Sequence, residues 1–184
     1  DSASTGTTLQ YNWHRGRMGR YRSHLSMGFD ASWSDLELGW NPNLGGGDPG
    51  PGKLADGRFR QKAEGVFLQN RMAFGSLWTL TLSARKDSVR LQYDDHLRAG
   101  AADLSFERTF RATTLRAGAT VHLSDLCNIY ASWGQGYLPP SPHATVDALV
   151  DAGPREGLLT AARSRGMEVG VRGAARASPT SRGP

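Results

Sequence analysis

The sequence predicts an all-β protein of about seven antiparallel strands in up-and-down order, of the kind that builds a transmembrane β-barrel. Three observations carry this. Apolar residues recur at every second position in several stretches, short and long connections alternate along the chain, and no apolar run approaches the roughly 20 residues of a membrane helix. The chain has 184 residues, of which 38% are hydrophobic, and its mean hydropathy is negative. An alternating barrel strand sets one apolar residue beside one polar residue, so its average hydropathy resembles that of a soluble protein.

Strand side chains point alternately to opposite faces. Leu9, Tyr11 and Trp13 give the first short case. From Leu25 the odd positions read Leu25, Met27, Phe29, Ala31 and Trp33, against Ser26, Gly28, Asp30 and Ser32; no helix would segregate those two sets. Val66, Leu68, Met72 and Phe74 follow, and then Trp78, Leu80, Leu82 and Ala84 oppose Thr79, Thr81, Ser83 and Arg85. Leu115, Ala117, Ala119, Val121 and Leu123 oppose Arg116, Gly118, Thr120 and His122. Ile129, Ala131, Trp133 and Tyr137 oppose Asn128, Tyr130, Ser132 and Gly134, and Met167, Val169 and Val171 close the series.

The connections between these strands are unequal. Arg15 to Gly19, Gly75 to Ser76 and Ser124 to Cys127 are short, whereas Ser34 to Arg60, Asp94 to Phe106 and Leu138 to Arg163 are long. Outer-membrane barrels have short turns on the periplasmic side and longer loops outside. Asn41 to Gly52 is dominated by Gly, Pro and Asn and cannot propagate a ladder; it has neither the flanking strand and helix nor the spaced Lys of a phosphate cradle. Aromatic residues fall near both strand ends, as interfacial girdles require: Trp13, Phe74 and Trp78 by short turns, Trp33, Tyr93, Trp133 and Tyr137 toward long loops.

The net charge of +5 and pI near 9.8 would suit a nucleic-acid binder, but the basic residues do not cluster in a recognisable module. Arg15, Arg17, Arg20 and Arg22 form the densest group, then Arg58, Arg60 and Lys62, and neither is followed by a stacking platform. No nucleic-acid partner is expected. The single Cys127 excludes an internal disulfide framework. Asp1 to Thr8 has neither the charged nor the apolar region of an export signal, which is expected to have been removed or to lie upstream.

No catalytic constellation is evident, and no enzyme activity or cofactor is expected. Ser132-Trp133-Gly134-Gln135-Gly136 is not a nucleophile elbow, and His14, His24, His96, His122 and His143 lack metal-ligand spacing. Asp94-Asp95-His96 reads as solvated loop charge.

Val66-Phe67-Leu68-Gln69-Asn70, followed by Trp78 through Asp87 with its Arg85 near an aspartate, resembles a barrel hairpin of the TonB-dependent receptors. Ile129 to Pro140 resembles a late-barrel strand of that family, and Ser164 to Gly173 resembles the strand after it, with its glutamate and glycine. The resemblance runs from about Tyr21 to Gly173, in matching order. It implies a barrel of about 22 strands, of which about seven make only a section. Residues 1–173 are expected to be this partial barrel, and 174–184, where alternation stops, an irregular tail from truncation or a shifted reading frame. Nothing resembles the family's N-terminal coupling box or plug.

The implied function is active uptake of a scarce nutrient, such as a ferric siderophore, across the outer membrane. The implied partners are the outer-membrane lipid bilayer, a small anionic ligand, and the TonB complex acting through a plug. By their parity Arg85, Arg116, Glu168 and Arg172 point into the lumen as ligand-path candidates, where a cationic lining favours anionic cargo. Any one of these arginines can instead pair with a carboxylate across strands. Two other classes fit the alternation: a small passive or structural outer-membrane barrel of about eight strands, and a soluble β-sandwich binding module.

Overall fold

The computed structural model describes residues 2–18, 20–41, 55–97, 103–141, 145 and 160–173. Seven strands make one sheet: β1 (Ser2–Met18), β2 (Tyr21–Trp40), β3 (Ala55–Phe74), β4 (Trp78–Asp95), β5 (Phe106–Ser124), β6 (Cys127–Leu138) and β7 (Ala162–Gly173). They lie in chain order, each antiparallel to the next. Among the described residues β1 pairs only with β2 and β7 only with β6, so the sheet is open at both edges. This is the up-and-down section that the alternation predicts. A sandwich would require a second sheet over the apolar face, and among the described residues there is one sheet.

The short connections are tight. Gly75 turns the chain from β3 into β4 with φ of 62°, a conformation that costs glycine nothing, and its N–H donates to the Arg20 carbonyl at 2.6 Å. Between β5 and β6 the Leu126 N–H donates to Ser124 Oγ at 3.2 Å.

The strands are longer than sequence alternation suggests. β4 continues from Arg85 to Asp95, and the long connections shrink to residues 41–54, 96–105 and 139–161. At about 3.3 Å per residue, the 18 to 20 residues of β2, β3 and β4 reach roughly 60 Å, where a tilted membrane strand needs about 9–11 residues. The extra length was hidden because the chemistry of the two faces reverses. In the half of β4 near the short turns Trp78, Leu80, Leu82 and Ala84 mark one face; beyond Lys86 the same face carries Arg90 and Gln92, while Val89, Leu91 and Tyr93 take the other. Alternation persists, but the apolar set changes sides. Past Asn41, the glycine- and proline-rich run and the tail after Gly173 lie outside the described residues.

The core sits where the reversal puts it. Leu38, Phe59, Val89, Leu91, Tyr93 and Phe110 are buried together, with Leu36, Phe106, Leu104 and Ala161 against them. Tyr93 and Tyr137 pack in or on this cluster, which corrects their expected place in an interfacial girdle. The β5–β6 ladder ends at Arg116–Gly134, so β6 is released from β5 before Tyr137.

Candidate functional site

Strand register divides the sheet into two chemically distinct faces. On one, Tyr11, Met27, Leu68, Ala84 and Leu115 form a continuous cross-strand row, and Trp13, Leu25, Asn70, Leu82, Ala117, Trp133 and Met167 form the next. Among the described residues nothing packs over this face: Tyr11 is 60% exposed and Met167 81% exposed, while Leu91 in the core is fully buried. Water would not leave so large an apolar face uncovered in a soluble monomer.

The upper edge of this band is Trp33 on β2, Val66 on β3, Ala84 on β4, Leu115 on β5 and Trp133 on β6. Its slope is informative. Followed along the hydrogen-bonded rows, Trp133 lies level with Leu25, eight residues before Trp33 on β2. A band that is level in a bilayer must cross the rows obliquely when strands tilt by about 35–45°.

Above the band the same face is held by ion pairs between strands. Arg58 grips Asp35, Arg60 meets Asp94 at 3.0 Å, and Arg90 meets Glu107 at 2.6 Å; Lys62 and Glu64 pair along β3 at 2.7 Å. The Arg58 guanidinium holds the Asp35 carboxyl below the usual range.

The opposite face is polar between the short turns and Asp87, apart from Phe67, whose ring lies over Gly28. It carries Arg22, Arg71, Arg85, Arg116 and Arg172 against three carboxylates, Asp30, Asp87 and Glu168. All four residues expected to share one face, Arg85, Arg116, Glu168 and Arg172, lie on it by register, but they do not form one cluster. Arg85 spans three strands: both terminal nitrogens reach Asp30 at 2.8 Å and Nε donates to Asp87 Oδ1 at 2.8 Å. Gly65 stands in the row between the two carboxylates, and its missing side chain is the guanidinium's passage. Glu168 accepts from the Tyr130 hydroxyl at 2.7 Å, and the Arg172 guanidinium lies 6.0 Å from the Tyr130 ring centre. Arg116 lays its aliphatic stem over Gly134 and has no ion pair among the described residues.

A shallow hollow of about 350 Å³ occupies this face near the short turns. Arg71 and Arg172 stand in its wall with Thr81, Thr120, His122 and Tyr130. His122 is oriented from both sides, 2.7 Å from Asn128 Oδ1 and 3.0 Å from Thr79 Oγ1. The arrangement offers fixed donors and positive charge, which suits a polar anion and supplies no nucleophile-base pair. Sequence reading did not single out Arg71, although its opposite parity to Met72 signalled the face. Asp87 stood beside Arg85 in the sequence, but Asp30 was missed, because no sequence signal brings it to a residue 55 positions away.

Farther from the short turns, the same face presents the buried cluster around Tyr93. Burial, with Asp95 and Asp56 nearby, pushes the Tyr93 phenol up to about 12.

Sequence comparison matches residues 1–179 to the family described as TonB dependent receptor-like, beta-barrel. The chain belongs to that family. No curated protein matches it by sequence. Among solved structures it is similar to the unliganded ferric citrate transporter FecA, at 16% identity and a TM-score of 0.75, covering 94% of this chain and 25% of FecA. It is also similar to the siderophore receptor PiuA of Acinetobacter baumannii, at 14% identity and a TM-score of 0.64, over 92% of this chain and 29% of PiuA. The closed form of the ferric-catecholate import receptor Fiu of E. coli K12 gives 15% identity and a TM-score of 0.58, over 78% of this chain and 24% of Fiu. The chain thus spans about a quarter of the length of these receptors. Within the TonB-dependent receptor fold the seven strands are a section of barrel wall with one apolar and one arginine-bearing face. The family consists of outer-membrane transporters and receptors of bacteria, not enzymes.

Proposed function

We propose that this chain is a wall section of a bacterial outer-membrane TonB-dependent transporter for a scarce nutrient, with a ferric siderophore as its cargo class. Energy would come from the TonB complex through a plug outside these residues. Residues 1–173 would form the barrel section, and 174–184 a tail that departs from it. The observation that carries the reading is the lumen face, where five arginines stand against three carboxylates and Arg116 has no neutralising partner among the described residues. A surplus of fixed cations in a narrow wet channel concentrates anions, and ferric chelates of citrate or catecholate type are anionic. Arg71, Arg116 and Arg172 are the proposed ligand-path residues; Arg85 and Glu168 hold the wall through Asp30, Asp87 and Tyr130.

The test is uptake of radiolabelled iron, given as ferric citrate or a ferric catecholate, by cells producing the complete reading frame that contains this chain. Accumulation should require the TonB complex and fall severalfold in an R116Q/R172Q double variant. Uptake that persists undiminished without the TonB complex would replace this reading with a passive barrel.

A further inference from the structure

We propose that the fork between β5 and β6 accepts an extended acidic peptide of a partner protein as an added strand. β5 is laddered to β4 from Phe106 to Val121, but to β6 only from Arg116 to Ser124. β6 nevertheless continues to Leu138, still paired with β7 as far as Ala162. The sheet therefore divides above Gly134, with β6 and β7 leaving together. Among the described residues no strand lies on that side of β5 between Phe106 and Leu115.

Backbone chemistry identifies the kind of occupant. The Leu115 N–H, the first past the ladder, donates to Gln135 Oε1 at 3.3 Å, a side chain standing in for a strand carbonyl. Backbone groups along a strand point to alternate sides, so Thr113, Arg111 and Thr109 aim theirs into the same opening. A row of such groups is completed by another extended backbone. A cavity of about 430 Å³ occupies the fork, and its wall combines Thr113 and Thr114 of β5 with Gln135 and Tyr137 of β6 and Arg163 and Arg165 of β7. The Tyr137 hydroxyl is buried and has no hydrogen-bond partner among the described residues. A bound peptide group would satisfy it.

Charge selects among peptides. No carboxylate lines the cavity, and Arg163 and Arg165 have no ion pair among the described residues. They stand on one face of β7 about 7 Å apart along the strand, the repeat of same-side residues in any extended chain. Acidic side chains at alternate positions meet both guanidiniums while their backbone meets β5. These arginines are separate from those of the proposed ligand path.

The test uses the 184-residue chain folded into phosphatidylcholine vesicles and a fluorescein-labelled peptide of alternating glutamate and valine, with binding read from fluorescence anisotropy. The wild type should bind this peptide, and R163Q/R165Q should weaken binding about tenfold. Thr113→Pro, which removes one amide facing the fork and none facing β4, should weaken it similarly. A peptide of the same charge but N-methylated at alternate residues should also bind about tenfold more weakly, whatever the folding of the variants. Equal affinity for the two peptides would mean attraction by charge alone and overturn strand addition. Loss in R163Q/R165Q with none in Thr113→Pro would move the peptide to the outer edge of β7 and overturn the fork. A wild type that binds neither peptide overturns the proposal, and the transport reading, tested by iron uptake, stands or falls separately.

Discussion

Arg85 of β4 reaches over Gly65 of β3 to hold both carboxylate oxygens of Asp30 on β2, each at 2.8 Å. The bridge ties β4 to β2 across β3, and it exists because the strand it crosses has a glycine at the crossing. A Cβ at residue 65 would lie 2.8 Å from the Asp87 carboxylate and in the path of the guanidinium. Gly65→Val should therefore displace Arg85 and destabilise the sheet by about 1–3 kcal/mol. Arg85→Gln, which removes the pair and leaves the backbone unhindered, should cost less. Urea unfolding of both variants in lipid vesicles checks the order; equal stability of Gly65→Val and wild type would remove the bridge from the account.

A second prediction concerns Tyr93, which sits 1% exposed in the buried cluster with Phe59 and Leu91. Its phenol is pushed up from 10.0 to about 12, chiefly by burial. A raised value means that folding favours the protonated phenol, so this contribution is complete below pH 10 and is lost as pH climbs from 10 to about 12. Absorbance at 295 nm during alkaline titration should show a step near pH 12 that Tyr93→Phe removes, and the same substitution should flatten the loss of stability across that window. Ionisation of every tyrosine near pH 10 would contradict the burial.

The strands between the short turns and Asp87 were legible in the sequence because their facing requirements are simple: lipid on one side, a wet lumen on the other. Trp78 through Arg85 obeys that rule at every position. The continuation through Val89, Leu91 and Tyr93 was not legible as strand, because outside the bilayer the outward face turns charged and the inward face turns apolar. A reader following one parity finds the pattern ending where it only changes sides. The arginine-bearing face could be assigned by parity alone, whereas Arg85's partners could not, since register across β2, β3 and β4 depends on how the hairpins align.

Facing assignments are directly testable with one charge. Leu82 lies in the middle of the apolar band and Thr81, its neighbour, on the lumen side. Leu82→Arg should oppose folding into vesicles by about 2–4 kcal/mol, the cost of a cation at the bilayer midplane, while Thr81→Arg should cost little. Folding midpoints in urea decide it, and similar costs at the two positions would mean that the faces are misassigned.

The open edges lead to a last expectation. Among the described residues β1 leaves the outer backbone groups of Ser2–Met18 unpaired and β7 those of Ala162–Gly173, and both edge strands carry exposed apolar residues, Leu9 and Tyr11 on the first, Met167, Val169 and Val171 on the second. The chain spans about a quarter of the length of the receptors it resembles. In water such edges should pair with other copies, because an unsatisfied ladder beside an apolar face is a template for strand addition. The chain diluted from urea into plain buffer should sediment as β-rich aggregate, and vesicles or detergent should suppress this by covering the apolar face. Lysines at Leu9 and Val169 should slow aggregation by placing charge on both edges. A monomer that stays soluble and unfolds cooperatively in detergent-free buffer would overturn the lipid-facing assignment, since it would require the apolar face to be buried within the chain itself.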